Sequence, residues 1–271
     1  MQPTYTEIKK ASLSALKNRW PEAIVASATI VSVALLDTLM QLILMSIFKV
    51  DAVWSPFSPT IIPIYNIIAS ICITIFSAIF SFAVAFPLFF GIMRWFWLIT
   101  GGSNPSLKEM FVFFSESKLF GKSVLISIGL FLRLIIASVV CFLPCVICRI
   151  LITPEFYNAL GYAMPIWLES LHPLVDILRM IGIIIFVLWT TRYILFYTVL
   201  FSEPNLSAHK TLVATKKITN GGIIRFIGFA FSFIGWGLLC LFMVPLIFVI
   251  PYLLSAFSIY GREEYRSKTN F

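Results

Sequence analysis

Charged residues are scarce in this sequence. They make up 12% of its 271 residues, whereas a typical soluble domain carries about a quarter. Histidine occurs only twice, and no His-Glu-x-x-His, Gly-x-Ser-x-Gly or phosphate-loop motif is present. The motifs of the common hydrolases and nucleotide-binding enzymes are therefore missing, and we expect a protein that is not an enzyme and binds no cofactor.

Cysteine is also sparse, and all five cysteines lie inside apolar runs. Cys145 and Cys148 have the two-residue spacing of a metal-binding pair, but a zinc site needs further ligands. We interpret the five as small apolar packing residues and expect no metal. They are Cys72, Cys141, Cys145, Cys148 and Cys240.

Long apolar runs are what the sequence has in abundance. Hydrophobic residues account for 60% of the chain, and the mean hydropathy is +0.98. This balance is typical of integral membrane proteins, in which a helix needs about 20 apolar residues to cross the bilayer. The sequence predicts a single all-α membrane domain over residues 1–271, a polytopic bundle of about six transmembrane helices with short cytoplasmic interfacial helices. The predicted spans are about 22–48, 61–86, 121–148, 174–200, 223–243 and 246–260.

The boundary between the last two spans is the least marked in the sequence. Residues 223–260 are apolar almost throughout, and Pro245 and Pro251 interrupt them without a polar turn. A turn inside the hydrocarbon needs water or protein partners for its backbone polar groups. Two spans joined near Pro245 fit the charge distribution best, and one long kinked helix stays open as the alternative.

Basic residues concentrate in alternate segments of the chain. The net charge is +8, and Lys and Arg cluster near the N-terminus, in residues 94–122, in the polar island 202–225 and in the C-terminal tail. Because cytoplasmic loops are enriched in Lys and Arg, this distribution predicts a multi-pass protein of the cytoplasmic (inner) cell membrane with both termini in the cytoplasm. The first apolar run is too long for a signal-peptide core, so we expect it to be retained. No basic patch is interleaved with stacking aromatics, which argues against nucleic acid as a partner.

Three polar elements precede the predicted helical pairs, at residues 12–20, 106–122 and 206–225. Residues 4–20 predict an amphipathic helix that begins with a Thr4–Glu7 capping box, and residues 106–114 predict a short surface helix. A threefold repeat explains this pattern, as does any even-numbered bundle with basic inner loops. We expect these elements to contact membrane lipids or other membrane proteins through basic side chains. The candidate contacts are Lys9, Lys10, Lys17, Lys210, Lys216 and Lys217.

Four polar residues inside the predicted spans form a candidate intramembrane site. They are Asp37, Gln41, Arg133 and Arg192. An unpaired arginine at the bilayer centre costs about 2.5–3.5 kcal/mol on insertion scales, so we expect Asp37 to pair with Arg133. Snorkelling, or a static tie between helices, is the alternative to a ligand-binding role. Residues 263–266 (EEYR) are interpreted as part of a solvated tail.

Short motifs are distributed along nearly the whole chain. They lie at residues 7–20 (EIKKASLSALKNRW), 87–91 (PLFFG), 203–221 (EPNLSAHKTLVATKKITNG) and 231–236 (FSFIGW). Together they resemble a bacterial integral-membrane family known as domain of unknown function 975. Two departures are Leu143-Pro144-Cys145, where the family has Ile-Pro-Gly, and Val244-Pro245-Leu246, where it has a glycine. The resemblance implies a six-helix bundle similar to the glycerophosphodiesterase membrane domain, and no established activity.

Two functions fit these observations. The first is a non-enzymatic multi-pass protein that organises or binds lipid or partner membrane proteins through its basic cytoplasmic elements. The second is a transporter of a small solute or lipid, with a polar cavity around Asp37, Arg133 and Arg192. A polar cavity that reaches both leaflets would favour transport, whereas a dry core with paired charges would favour the accessory role.

Overall fold

The computed structural model describes residues 3–50, 64–159, 161–163, 165–242 and 245–269, and within these ranges every regular element is helical. The long helices are joined by short helices and 3-10 turns. The α-helices are α1 Tyr5–Leu16, α2 Trp20–Ile47, α3 Ile64–Phe80, α4 Phe86–Thr100, α5 Val112–Ser115, α6 Ser117–Leu151, α7 Pro154–Ala159, α8 His172–Thr191, α9 Phe196–Ser202, α10 Ala208–Thr219, α11 Ile223–Phe231, α12 Ile234–Leu239 and α13 Leu246–Thr269. The predicted all-helical architecture is confirmed.

Five helical stretches within the described residues are long and apolar enough to cross a membrane. They are Trp20–Ile47, Ile68–Thr100, Ser117–Leu151, His172–Ser202 and Leu246–Thr269. Their positions agree with five of the six predicted spans, although each extends beyond the predicted limits at one end or both. The loop predicted after the first span lies outside the described residues from residue 51 to residue 63.

The predicted fifth span, 223–243, is helical but broken. Helix α11 ends at Phe231, a turn at Ser232 and Phe233 follows, and α12 is succeeded by a 3-10 turn at Cys240–Phe242. The chain then reverses, because the guanidinium of Arg225 lies 3.6 Å from the carboxylate of Glu264. Helices α11 to α13 therefore form a hairpin rather than one kinked helix. Residues 243 and 244 lie outside the described residues.

The N-terminal helix α1 begins with the predicted capping box. The backbone N–H of Glu7 donates to Thr4 Oγ1 at 3.3 Å, and the backbone N–H of Thr4 donates to Glu7 Oε2 at 2.6 Å. The second bond lowers the pKa of the Glu7 carboxyl, because it stabilises the ionised form. Pro21 lies in the first turn of α2. A backbone N–H at this position has no acceptor within the helix, so proline costs no hydrogen bond there.

The second span continues beyond residue 86, its predicted end. Helices α3 and α4 are joined through a π-helical turn at Ser81–Ala85, and Pro87 follows in the first turn of α4. Proline provides no N–H and crowds the carbonyl four residues earlier. The wider π-turn relaxes the hydrogen-bond register just before that point, so the helix runs on to Thr100.

The short helix predicted at residues 106–114 is a surface element with one face buried in the bundle. Residues Leu107–Phe111 form a 3-10 turn that runs into α5, and Met110 and Phe113 are each only 2% exposed. The Met110 carbonyl lies against Gly91 of α4, so close that a Cβ at Gly91 would overlap it at 1.8 Å. Glycine at position 91 is required by this close approach of two backbones.

The three short polar elements pack in a cyclic order. The 3-10 turn Leu107–Phe111 packs against α4, α10 packs against α9 and α6, and α1 packs against α13. Each element thus contacts the hairpin that precedes its own, and the first contacts the last. A threefold repeat would produce this arrangement, and the repeat itself stays a prediction.

Hydrogen bonds and ion pairs join the four basic segments at one end of the bundle. Arg262 donates to the Trp97 carbonyl, Lys122 donates to the Pro204 carbonyl at 2.8 Å, and Tyr265 donates to Glu203 at 2.7 Å. We call this the basic end, defined by Tyr5, Trp97, Lys122, Pro204, Arg225 and Arg262. The predicted grouping of the N-terminus, residues 94–122, residues 202–225 and the C-terminal region is therefore present in the fold.

Glu264 and Arg225 form the central ion pair of the basic end. Helix α13 continues to Thr269, and Glu264 lies on its buried face at 4% exposure. Arg225 also donates to the Pro3 carbonyl at 2.9 Å, and the Tyr5 hydroxyl donates to the Arg225 carbonyl at 2.9 Å. The interpretation of residues 263–266 as a solvated tail was wrong for Glu264, which continues the buried stripe of Tyr252, Ala256 and Tyr260.

Substitution of Arg225 by Met is expected to destabilise the protein by about 3 kcal/mol, because it leaves a buried carboxylate without its cation. The apparent melting temperature in detergent measures the effect. Arg266→Met is the matched control: its pair with Glu263 is exposed and is expected to contribute at most about 1 kcal/mol. Glu264→Gln should restore part of the loss in the Arg225→Met background. Equal melting of the Arg225 and Arg266 variants would contradict the assignment.

Candidate functional site

The six lysines predicted as cytoplasmic contacts lie on α1, on α10 and in the turn after α1. Five of them are exposed: Lys10, Lys17, Lys210, Lys216 and Lys217. Lys9 differs, because its ammonium donates to the Ser232 carbonyl at 2.6 Å and lies 4.4 Å from the centre of the Phe233 ring. Lys9 therefore joins α1 to the last hairpin, and the other five are available to a partner.

Helix α10 presents its lysines to solvent because threonines occupy its buried face. Thr211, Thr215 and Thr219 recur every four residues and are at most 1% exposed. Each hydroxyl donates to the backbone carbonyl four residues earlier, at 2.8–3.0 Å. A helix with no apolar run thus packs against α6 and α9 without leaving these hydroxyls unpaired.

Asp37 and Gln41 lie together in the α2–α3 hairpin. The Gln41 side-chain amide donates to Asp37 Oδ2 at 2.9 Å, and the Ser77 hydroxyl lies 3.0 Å from both Asp37 carboxylate oxygens. Gln41 also lies 2.9 Å from Ser77 Oγ. These three side chains form a polar tie between α2 and α3, and Ser77 was not identified from the sequence.

The expected contact between Asp37 and Arg133 is not formed. Arg133 donates to the Gly129 carbonyl at 2.8 Å, and its guanidinium carbon lies 5.6 Å from the centre of the Tyr193 ring. Among the residues that the structure describes, no carboxylate contacts Arg133. The side chain turns toward the basic end, since Gly129 is one helical turn closer to Ser117, the first residue of α6.

Arg192 lies where the fourth span is interrupted. Helix α8 ends at Thr191, and residues 192–195 form turns before α9 begins. Arg192 is partly buried, and its Nε atom has no hydrogen-bond partner among the described residues. Tyr193, whose ring contacts Arg133, is the next residue of this break.

A cavity of about 420 Å³ lies beside this break. Helices α4, α6 and α13 and the break itself provide its walls, which are mostly apolar. Several lining side chains are also exposed on the surface of the bundle, including Phe131, Leu134 and Ile194. The cavity is therefore open to the side, and it has a volume typical of small-ligand pockets, about 300–1,000 Å³.

Four of the hydroxyls that line the cavity are already hydrogen-bonded. The hydroxyl of Ser127 donates to the Ser123 carbonyl, those of Thr190 and Thr191 donate to the Val187 carbonyl, and that of Tyr197 donates to the Phe257 carbonyl. A polar ligand would have to break these bonds or leave its own groups unpaired. The site suits a hydrocarbon chain better than a polar solute.

Two further cavities, of about 380 and 440 Å³, open at the basic end. The first is lined by Arg94, Glu116 and Lys122 among others, and the second by Arg262 and Arg266 with Glu263. Charged side chains of both signs line each cavity, and some of them already form ion pairs. Arg94 lies 3.7 Å from Glu109, and Arg266 lies 3.1 Å from Glu263.

Cys145 is buried, and its thiol donates to the Val175 carbonyl at 3.6 Å, which joins α6 to α8. Within the described part of the chain, no three His, Cys, Asp or Glu residues are grouped to hold a metal ion. Cys145 packs with Val175 in a small buried cluster between α6 and α8.

Sequence reasoning missed Ser77, Tyr193 and Glu264. Ala256, Tyr260 and Glu264 follow one another at intervals of four residues, a signal that places Glu264 on the buried face of α13. For Ser77 and Tyr193 the sequence gives no such signal, because their partners belong to other helices.

No protein-family model matches the chain, and no curated protein or solved structure matches it at a significant level. The resemblance to domain of unknown function 975 therefore stays a prediction.

Ser77→Ala is expected to destabilise the α2–α3 hairpin by about 1–2 kcal/mol, because it removes a hydrogen bond to a carboxylate. Thermal unfolding in detergent of Ser77→Ala, Asp37→Ala and the double variant measures the coupling. Thr74→Ala serves as the control, since the Thr74 hydroxyl only donates to the Ser70 carbonyl of its own helix. Strict additivity of the Ser77 and Asp37 losses would show that the two side chains do not interact.

Proposed function

We propose that the protein is a non-enzymatic, multi-pass membrane protein that gathers anionic lipid, and with it partner membrane proteins, at the cytoplasmic leaflet. The observation that carries this proposal is the set of five exposed lysines on α1, on α10 and between α1 and α2. A basic residue near an anionic leaflet gains about 1 kcal/mol. Five such residues at one end of an apolar bundle provide a substantial attraction for acidic headgroups.

The proposed topology has six membrane helices and both termini in the cytoplasm of a bacterial cell. Two observations support it. The basic end brings together the four segments that the charge distribution assigns to the cytoplasm, and the Arg225–Glu264 pair returns the last hairpin to the end from which it starts. If the fifth and sixth helices both cross the membrane, the chain crosses it six times and both termini lie on the same side.

Transport of a small polar solute is less well supported. The four polar residues expected to line a shared pathway do not come together, since Asp37 contacts Gln41 whereas Arg133 contacts Tyr193. The cavity between the helices is mostly apolar, and four of its hydroxyls are hydrogen-bonded to backbone carbonyls. These features favour lipid as the ligand.

Replacement of the five exposed lysines by Gln is expected to reduce the enrichment of anionic lipid around the protein. The protein is reconstituted in vesicles of equal parts phosphatidylglycerol and phosphatidylcholine and is then extracted in polymer-bounded discs. The ratio of phosphatidylglycerol to phosphatidylcholine in the discs is measured. Wild type should enrich phosphatidylglycerol at low salt, and the enrichment should decline with added salt. The control replaces the same five lysines by Arg, which keeps the charge. Equal enrichment by the Gln and Arg variants would contradict the proposal.

Cysteines introduced at Ser117 and Ser170, both exposed, test the topology in a variant that lacks the five native cysteines. Because the two positions lie at opposite ends of the α6–α8 hairpin, a membrane-impermeant maleimide added to intact cells should label position 170 and not position 117. Permeabilised cells should show labelling at both. Labelling of both positions in intact cells would overturn the six-helix topology.

A further inference from the structure

The laterally open cavity of about 420 Å³ is not explained by the surface lysines. It lies between α4, α6, α13 and the break after α8, and Arg133 stands at its edge through its contact with Tyr193. We propose that this cavity holds one acyl chain of an anionic phospholipid whose phosphate binds Arg133. This inference rests on the proposed lipid-binding function and adds a single defined site to it.

The apolar lining of the cavity favours the acyl chain of the ligand. Phe86, Phe89 and Leu130 line it with other apolar side chains. The hydroxyls of Ser127, Thr191 and Tyr197 are engaged with backbone carbonyls. A hydrocarbon chain fills such a space without breaking a hydrogen bond, and it displaces no well-bonded group.

Arg133, at the edge of the cavity, favours a phosphate as the polar part of the ligand. Arg133 uses one of its donors for the Gly129 carbonyl and contacts no carboxylate among the described residues, so its remaining donors are available to a phosphate. Arg192 precedes Tyr193 in the chain and provides a second positive charge, and its Nε atom lacks a hydrogen-bond partner among the described residues. A zwitterionic lipid offers the same phosphate but adds a cation that these two arginines disfavour.

Arg133 and Arg192 lie at a similar distance from the outer ends of their helices. Those ends lie together, because Cys145 contacts Val175 there. Arg133 lies eighteen residues from Leu151, the last residue of α6, which corresponds to about 27 Å along a helix. Arg192 lies twenty residues from His172, or about 30 Å. Both arginines are therefore at the level of the cavity, whose walls include Leu130 of α6 and Thr191 of α8.

The basic helix α10 adjoins the same level. The side chain of Leu212 packs so closely on Gly129 that a Cβ there would lie 2.8 Å from it and 3.3 Å from the Arg133 guanidinium. The exposed Lys216 lies one helical turn further along α10. A lipid drawn to the surface lysines would therefore arrive next to Arg133 and the opening of the cavity.

Native mass spectrometry of the delipidated full-length protein tests the site. Palmitoyl-oleoyl phosphatidylglycerol and palmitoyl-oleoyl phosphatidylcholine are added at equal concentration in detergent, and the lipids retained per protein are counted. Wild type should retain one phosphatidylglycerol. Arg133→Gln should reduce the preference for phosphatidylglycerol about tenfold, because it removes a charge-assisted bond. Leu130→Trp should abolish retention of both lipids by filling the cavity.

Matched controls separate the site from general effects. Arg179→Gln removes an arginine at the opposite end of the α6–α8 hairpin, where it is paired with Asp176. Leu132→Trp makes the same leucine-to-tryptophan change two residues further along α6, at an exposed position outside the cavity lining. Both controls should retain phosphatidylglycerol as wild type does. Thermal melting verifies that each variant is folded, and Arg133→Gln provides the decisive result if Leu130→Trp does not fold.

Three results would overturn the cavity site. Folded Leu130→Trp that retains phosphatidylglycerol as wild type does would show that the cavity is not used. An unchanged lipid preference in Arg133→Gln would show that the arginine does not select the headgroup, and displacement of the phospholipid by equimolar oleate would identify a fatty acid as the occupant. If wild type retains no lipid in detergent but enriches phosphatidylglycerol in discs, the cavity site fails while the proposed surface function stands.

Discussion

Burial of the Glu264 carboxylate is the constraint on which the basic end depends. A carboxylate at 4% exposure needs a cation and hydrogen-bond donors close by, and Arg225 supplies the cation at 3.6 Å. The same guanidinium donates to the Pro3 carbonyl. One ion pair thereby joins the N-terminus, the end of the polar island and the last helix. It returns the α11–α13 hairpin to its starting level and holds α1 against α13.

Helix packing divides the molecule into two parts. Around the basic end, aromatic and aliphatic side chains from α1, α4, α9, α11 and α13 form one buried core, and each short polar element packs against the preceding hairpin. Away from this end, the α2–α3 and α6–α8 hairpins expose large apolar side chains, such as Leu39, Ile75, Leu143 and Ile184. The first part resembles the interior of a soluble domain, and the second presents a surface suited to lipid.

The same division underlies our proposal that the ligand is a lipid and not a polar solute. Several polar groups between the helices are paired with one another or with backbone carbonyls, as in the Asp37–Gln41–Ser77 tie and four hydroxyls around the cavity. Arg133, which contacts no carboxylate among the described residues, lies at the edge of the cavity, and exposed lysines lie on α1 and α10. An apolar cavity suits the acyl chain of a phospholipid, and cations at its edge suit the phosphate.

Local sequence determined which segments are helices, the Thr4–Glu7 cap and the grouping of the basic segments, because these depend on propensity, side chains a few residues apart and the repetition of charge along the chain. The burial of Met110 needed the fold, since it depends on the close approach of Gly91, nineteen residues earlier in the chain. The candidate site shows this most clearly. Composition identified Asp37 and Arg133 as costly charges, but helical periodicity specifies only the face on which a residue lies. The tertiary structure decided that Ser77 satisfies Asp37 and that Arg133 turns toward Tyr193, because only the packing of particular helices sets which side chains come within hydrogen-bonding distance.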